Sequence, residues 1–308
     1  MASFKRIDYR LRVAKQIERK MISEMLIRFS RVHDLSDYQY IGFGSIAFQD
    51  FSIIHRVLGI DDMLSIEKSL KAERFEFNKP YACIRIEHGD ASVVVDRYDW
   101  NKKSIVWLDY DEKIDEEKLL TIGRCVQEME PGSLVLVTVN IDSGGDPMSR
   151  FEEIKKDVEI ERLPGDFNVK MLSGKEYPVL VRKIINNQVE DAFGARARVD
   201  GDGLEQFVNF IYKDGARMMT LGWVINGSEG GSFIKKSGIN KLDYYRGGAE
   251  PFEIKVPILT PREVTHMNKQ LPAPGGELPE CPGLSEKEVA DYRAVYRYYP
   301  VFHEISEH

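Results

Sequence analysis

Tyr40-Ile41-Gly42-Phe43-Gly44-Ser45 is an apolar strand running into a glycine-rich turn. Behind it, Ala47 to Leu58 carries Phe48, Phe51, Ile54, His55 and Leu58 at helical spacing and ends at Gly59. A glycine pair between a strand and a helix is the setting in which such a motif carries weight. Glycine lets the backbone pass close to a ligand, and the helix N-terminus behind it favours an anion. Three further strands repeat the pattern outward from this turn. Met63-Leu64-Ser65-Ile66-Glu67 ends in a carboxylate 25 residues after Gly42. Ile84-Arg85-Ile86-Glu87-His88-Gly89-Asp90-Ala91 ends in a Gly-Asp pair, and Ile105-Val106-Trp107-Leu108-Asp109-Tyr110-Asp111 ends in two acids. Each strand delivers its glycine or acid at its C-terminal end, where open α/β sheets bind ligands. The repetition points to an enzyme that holds a nucleoside.

The rest of the chain extends this reading. Lys68 to Phe77 is a short helix ended before Pro80, and Glu116 to Met129 is a longer one. Leu134 to Asn140 is an apolar, β-branched run of the kind found in buried parallel strands. Five strands alternating with helices predict a doubly wound sheet. Tyr177 to Ala195 then reads as a helix. Phe207 to Tyr212 and Met218 to Val224 read as strands joined by Lys213-Asp214-Gly215-Ala216, a hairpin signal. The prediction is an α/β fold with a mostly parallel, seven-stranded, Rossmann-like sheet closed by an antiparallel hairpin. Beyond it lie a Gly/Ser-rich loop (Gly227 to Ser232), a strand-like run (Phe252 to Val256), a helix from Pro261 and a Pro/Gly-rich loop (Leu271 to Gly283). A last helix, Ser285 to Tyr298, starts with the capping box Ser285-Glu286-Lys287-Glu288. Upstream, Arg10 to Phe29 is an amphipathic helix, with Leu11, Ala14, Ile17, Met21, Met25 and Leu26 on one face. The expected organisation is a helical cover (1–36), a Rossmann-like domain (37–226) and a C-terminal extension packed on it (227–308).

Composition narrows the class. The 308 residues are 43% hydrophobic and 30% charged, ordinary for a globular chain with a sizeable core. Cys83, Cys125 and Cys281 show no CxxC spacing and are odd in number, which fits thiols in a reducing compartment; Cys83 is expected to be buried within a strand. No apolar run reaches membrane-span length and Met1 to Arg12 is polar, so a cytoplasmic location with no membrane partner is expected. Net charge is −7, yet residues 1–31 carry nine Lys or Arg against Asp8, Glu18 and Glu24, leaving +6 there and −13 elsewhere. The plain reading of this asymmetry is a solvated helix face; the other is an anionic partner. Nucleic acid is therefore conceivable, but no RNP-type aromatic motif or zinc module indicates it. Six histidines show no paired ligand spacing, so zinc is not expected. No Gly-x-Ser-x-Gly elbow or P-loop occurs, which removes those hydrolase and NTPase classes.

On the order of these motifs across residues 37–225, the chain resembles the class I S-adenosylmethionine-dependent methyltransferases. More narrowly it is similar to a bacterial O-methyltransferase group, with Tyr9-Arg10-Leu11-Arg12 and Tyr298-Tyr299-Pro300 as flanking phrases. The resemblance implies S-adenosylmethionine as cofactor. Gly42, Phe43, Gly44 and Ser45 would face its methionine part. Glu67, followed by Lys68, would accept hydrogen bonds from the ribose hydroxyls. Asp90 would lie near the adenine amino group with Ala91 leaving room for the ring, and Asp109 would close the site from the fourth strand. The motif departs from the family pattern in having no acid immediately before Gly42 and no third glycine.

Methyl transfer from a sulfonium is an in-line displacement, governed by alignment, and a hydroxyl acceptor also needs a base or a metal. Asp109 and Asp111 are the candidate catalytic acids. Asp109, Asn140 and Asp142 form a candidate oxygen-ligand set for Mg²⁺, by similarity to metal-dependent catechol-type enzymes. The Asp/Asn-Pro-Pro-aromatic signature of amino methyltransferases is absent, since the site reads Asp109-Tyr110-Asp111-Glu112, and this favours an oxygen acceptor on a small molecule or a macromolecule. His88, the one histidine beside a motif, is a further base candidate. Two alternatives stand: a nucleoside-binding or protein-interaction module without turnover, and a nicotinamide-dependent oxidoreductase. The extension is expected to shape the acceptor pocket or a homodimer contact, with Trp223, Phe233, Tyr244 and Tyr245 as pocket or core residues.

Overall fold

The strands alternate in side-chain direction, and this splits the core into two layers. Along the fourth strand, Ile105 and Trp107 join one apolar cluster while Val106 and Leu108 join the other. The computed structural model describes residues 12–68, 72–196, 203–227 and 231–300. Tyr9 to Leu11, residues 69–71 of the expected third helix and residues 228–230 of the glycine-rich loop lie outside the described residues.

The sheet is built from β1 (Gln39–Gly42), β2 (Asp62–Glu67), β3 (Ile84–His88), β4 (Ser104–Asp109), β5 (Leu134–Asn140), β6 (Gly203–Asp214), β7 (Ala216–Asn226) and β8 (Phe252–Ile254). Their order is β3-β2-β1-β4-β5-β7-β6-β8. The first five pair in parallel; β7 is antiparallel to β5 and to β6. The hairpin turns at Gly215, whose φ of +98° suits glycine. Among the described residues one strand more than the expected seven is present: β8 pairs in parallel with β6 at the sheet edge. It is only three residues long, so periodicity could not place it in a sheet.

Helices cover both faces. α4 (Ala91–Arg97), α5 (Glu116–Glu128) and α7 (Glu176–Gly194) pack over one cluster, with α6 (Pro147–Asp157) beside them. α1 (Val13–Phe29), α2 (Gln49–Leu58), α3 (Ala72–Asn78) and α8 (Phe233–Ser237) contribute to the other. α9 (Pro261–Asn268) and α10 (Glu286–Val295) make a third, small cluster around Met267 and Tyr292. The capping box at Ser285 forms, and Thr260 makes another at the start of α9. α4 and α6 escape the periodicity reading because one is two turns long and the other is largely polar; Asp146 before Pro147 is a start signal for α6 alone.

In the described part of the basic N-terminal segment, Lys20 and Arg31 stay exposed, but two cations leave the solvated face. Ala14, Ile17, Met21, Met25 and Leu26 are fully buried as the spacing requires, but so are Lys15, Glu18 and Arg19. Their charges turn inward and pair within the protein, Lys15 with Glu18 and Asp109 and Arg19 with Asp50. Trp223, Phe233 and Tyr244 are core residues. Among the described residues, no helix is long and apolar enough to cross a membrane.

Candidate functional site

The parallel register brings the motif residues to one edge. Gly42 stands beside Ser65 on β2 and Trp107 on β4, and Glu67 stands beside His88 on β3. The Gly44 amide donates to Ser65 Oγ (2.9 Å), and that hydroxyl donates to Glu67 Oε1 (2.7 Å). A Cβ at position 44 would lie 2.4 Å from the Phe48 ring and 2.7 Å from Ser65 Oγ, so only glycine fits. Ser45 and Phe48 hold φ of +52° and +45°, left-handed values that cost roughly 1–3 kcal/mol each and concentrate at functional sites. Among the described residues, Ser45 Oγ is buried without a hydrogen-bond partner. Such a hydroxyl costs free energy unless a ligand meets it. Ser65, which links the glycine turn to the acid, was not singled out in the sequence because a mid-strand serine carries no signal.

Glu67 is only 7% exposed. Burial raises its pKa to about 7, against the opposing hydrogen bonds from Ser65 and from the Ser45 and Gly44 backbone. The Gly89 amide donates to the Glu67 carbonyl (3.1 Å), tying the third strand end to the second. Lys68 and Asp90 pair across these ends at 2.6 Å, both open to solvent. Asp90 occupies the N-cap position of α4 without a side-chain cap bond, and Ala91 starts the helix. Phe43 packs on Tyr110, ring centroids 5.2 Å apart.

Asp109 is held from above by α1. Lys15 Nζ lies 2.9 Å from Asp109 Oδ1 and 2.8 Å from Glu18 Oε2, and over the Trp107 ring at 4.8 Å. Burial opposes the Lys15 charge, but Asp109 and Glu18 outweigh it and hold its pKa well above the ordinary value. Burial pushes Glu18 up despite Lys15. Glu18 also accepts from Thr220 Oγ1, which contacts Thr138, and Trp107 Nε1 donates to Thr138 Oγ1 (3.0 Å). Arg19 pairs with the buried Asp50. None of Lys15, Glu18, Arg19 and Asp50 was read as functional from sequence.

Asp111 is exposed, 3.9 Å from Arg12. Asn140 Oδ1 accepts from the Asp142 amide (2.8 Å), a local turn. With Lys15 on Asp109 and Asn140 turned to its own loop, the Asp109, Asn140 and Asp142 donors do not fit a Mg²⁺ site. His88 is exposed and packs on Phe75. A depression of about 500 Å³ lies between the C-terminal ends of α1 and α2, away from these strand ends.

The sheet order and the glycine and acids gathered at its C-terminal edge define a Rossmann-like α/β protein. Residues 7–307 match the family described as "Putative O-methyltransferase", and the chain belongs to that family. No curated protein matches the sequence. Among solved structures it is similar to the S-adenosylmethionine-dependent methyltransferase SibL (11% identity, TM-score 0.37), covering 68% of this chain and 55% of that one. The chain thus spans about half the length of SibL. A probable spermidine synthase from Corynebacterium glutamicum is 11% identical with TM-score 0.43, over 79% and 82% of the two chains. The O-methyltransferase TomG from Streptomyces achromogenes is 13% identical with TM-score 0.39, over 72% and 92%. The family assignment rests on the sequence match and takes nothing from these distant likenesses.

Proposed function

We propose that the chain binds S-adenosylmethionine at the ends of β1, β2 and β3 and transfers its methyl group to an oxygen of a small-molecule or macromolecular acceptor. The carrying observation is the cradle from Gly42 to Ser45, braced through Ser65 on Glu67, in a chain that matches a methyltransferase family along nearly its whole length. The donor set fits the cofactor. A space that only Gly44 leaves open, an orphan Ser45 hydroxyl and a buried carboxylate offer the contacts that an amino-acid tail and a ribose diol need. Asp90, Ala91 and Lys68 are the proposed adenine-side residues, and Phe43 the proposed apolar wall.

The bound cofactor supplies an electrophilic methyl group on a sulfonium. The chain's own contribution is to orient and to move a proton. Glu67 fixes the ribose as a carboxylate, so it must lose the proton that burial favours. Asp111, the solvent-facing acid after β4, is proposed to take the acceptor's proton. Asp109, engaged with Lys15, is proposed to position α1 over the reacting end. One observation favours a second reading, a binding module without turnover: the Lys15 ammonium already occupies the inner face of Asp109.

Calorimetric titration with S-adenosylmethionine and S-adenosylhomocysteine, with reduced nicotinamide dinucleotide as control, tests the cofactor. Micromolar binding of the first two, lost in Glu67→Ala, is expected. Binding of the nicotinamide alone would overturn the reading. Asp111→Asn separates the two modes: it is expected to keep cofactor affinity while methyl transfer to a hydroxyl acceptor falls roughly 100-fold or more.

A further inference from the structure

We propose that His55, Asp61 and Cys83 form a binding site for a borderline-soft divalent cation of the Zn²⁺ type, at the edge of the sheet opposite the proposed cofactor site. His55 lies in the last turn of α2, Asp61 just before β2 and Cys83 in the turn just before β3. These are the N-terminal ends of parallel strands, whereas Gly44 and Glu67 lie at the C-terminal ends. Cys83 is therefore in a partly open turn, not buried within a strand as its sequence context predicts.

The three ligand atoms lie within 4.8 Å of one another. His55 Nδ1 is 3.1 Å from Asp61 Oδ1 and 3.7 Å from Cys83 Sγ. Bond lengths of about 2.0 Å to nitrogen or oxygen and about 2.3 Å to thiolate imply, at tetrahedral angles, edges of about 3.3 Å for N···O and about 3.5 Å for N···S. The observed separations match both edges to a few tenths of an ångström. The Ile60 carbonyl oxygen, 3.0 Å from the same Nδ1, is a fourth donor facing that nitrogen.

The chemistry of the set selects the metal. A thiolate and an imidazole with one carboxylate suit Zn²⁺ or Co²⁺ and not Mg²⁺ or Ca²⁺, which take oxygen ligands. Tyr81 packs against the imidazole, ring centroids 4.3 Å apart, which fixes the ring plane. Asp61 is 76% exposed and gives an ion its access route. The neighbouring Asp62 is engaged by Arg85 (3.0 Å) and Lys102 (2.9 Å), so it does not compete. Local spacing could not announce such a site, because its ligands stand at positions 55, 61 and 83 and only folding gathers them. A bound ion would staple the end of α2 to the starts of β2 and β3. Coordination of Cys83 also requires loss of its thiol proton, so binding releases a proton and weakens as pH falls.

The test uses the full chain, reduced and stripped of metal with a chelator, titrated with Co²⁺ and then Zn²⁺. A thiolate-to-cobalt charge-transfer band that Zn²⁺ abolishes is expected, with a rise in Tm on Zn²⁺ addition. Both effects should vanish in Cys83→Ser and in His55→Gln, weaken in Asp61→Asn and persist in Cys281→Ser. The metal-free His55→Gln variant should melt as the metal-free parent does, which separates lost binding from lost folding. Absence of the band in the reduced parent, or its survival in Cys83→Ser, overturns the proposal. The readout needs neither cofactor nor acceptor, so it stands apart from the methyl-transfer reading.

Discussion

Glu67 concentrates the tension of the site in one residue. Its carboxyl is buried at the end of β2 and its pKa rises from 4.5 to about 7. A raised folded-state value means that the proton-bound form stabilises the fold. That stabilisation is complete below the unfolded value and is lost as pH rises through about 7. The gap corresponds to on the order of 3 kcal/mol at most. Glu67→Gln mimics the protonated acid at every pH. The variant is therefore expected to match the parent in Tm near pH 4 and to exceed it by several degrees near pH 8. Equal melting at both pH values would mean that the carboxyl is solvated and its pKa ordinary. In the proposed binding mode the ribose hydroxyls need the ionised form, so S-adenosylmethionine affinity in the parent is expected to strengthen from about pH 6 to about pH 8. Under that proposal the same group opposes stability where it would serve binding, a trade common at functional sites.

At the scale of the element, α1 is fastened by partners far away in the chain. Its N-cap residue, Arg12, makes no side-chain cap bond; Asp214 at the hairpin turn accepts from the Ala14 amide (3.1 Å) and the Lys15 amide (2.7 Å) instead. Asp214→Ala is expected to cost about 1 kcal/mol and to speed amide exchange in the first turn of α1 while leaving its last turn unchanged. Lys15→Met should cost more, about 3–5 kcal/mol, because it strands the fully buried Glu18 carboxylate and the half-buried Asp109 carboxylate. A melt of Lys15→Met indistinguishable from the parent would mean that water already reaches this pair. These contacts also explain what could be read from sequence. Strands β1 to β4 were legible because apolar runs stop at glycines and acids, β5 because it is an apolar, β-branched run, and the hairpin because Asp214-Gly215 breaks two largely apolar runs. Gly44 and Glu67 were legible because a turn and a strand-end acid have fixed offsets. Ser65 was not, since its role depends on the register of two strands. Lys15, Glu18 and Arg19 read as surface charges, because the residues that pair or hydrogen-bond with them, Asp109, Thr220 and Asp50, are between 31 and 202 positions away. Charge carries no periodic signature of its destination.

For the whole molecule, the decisive fact is that one apolar cluster joins α1 and the segment beyond residue 226 to the sheet. It includes Ile17, Met21 and Phe29 of α1, Trp107 and Leu136 of the sheet, and Phe233, Tyr244, Ile254 and Val295 from beyond residue 226. Polar contacts follow the same path. Tyr298 donates to Glu24 and lies 3.0 Å from the Tyr244 hydroxyl, and Arg28 donates to the Gly238 carbonyl (3.0 Å). Gln206 and Asn209 of β6 both donate to the Gly248 carbonyl, at 2.8 and 3.1 Å, and hold the segment that leads into β8. Fully burying one such side chain is worth about 1.5–3 kcal/mol. Phe233, Ile234, Ile239, Tyr244, Ile254 and Val295 together therefore contribute on the order of 10 kcal/mol gross, comparable with the roughly 5–15 kcal/mol net stability of a whole domain. A chain ending at Asn226 would also bare Phe210, fully buried in the intact sheet, along the unpaired edge of β6, an invitation to edge-to-edge association. The expected outcome is that the full chain melts in a single transition, whereas the chain ending at Asn226 loses its near-ultraviolet dichroism and cooperative melt and self-associates. A truncated chain that stayed monomeric and melted cooperatively near the parent Tm would show that the sheet completes its core without the C-terminal residues, and that their apolar contacts are worth far less than their burial implies.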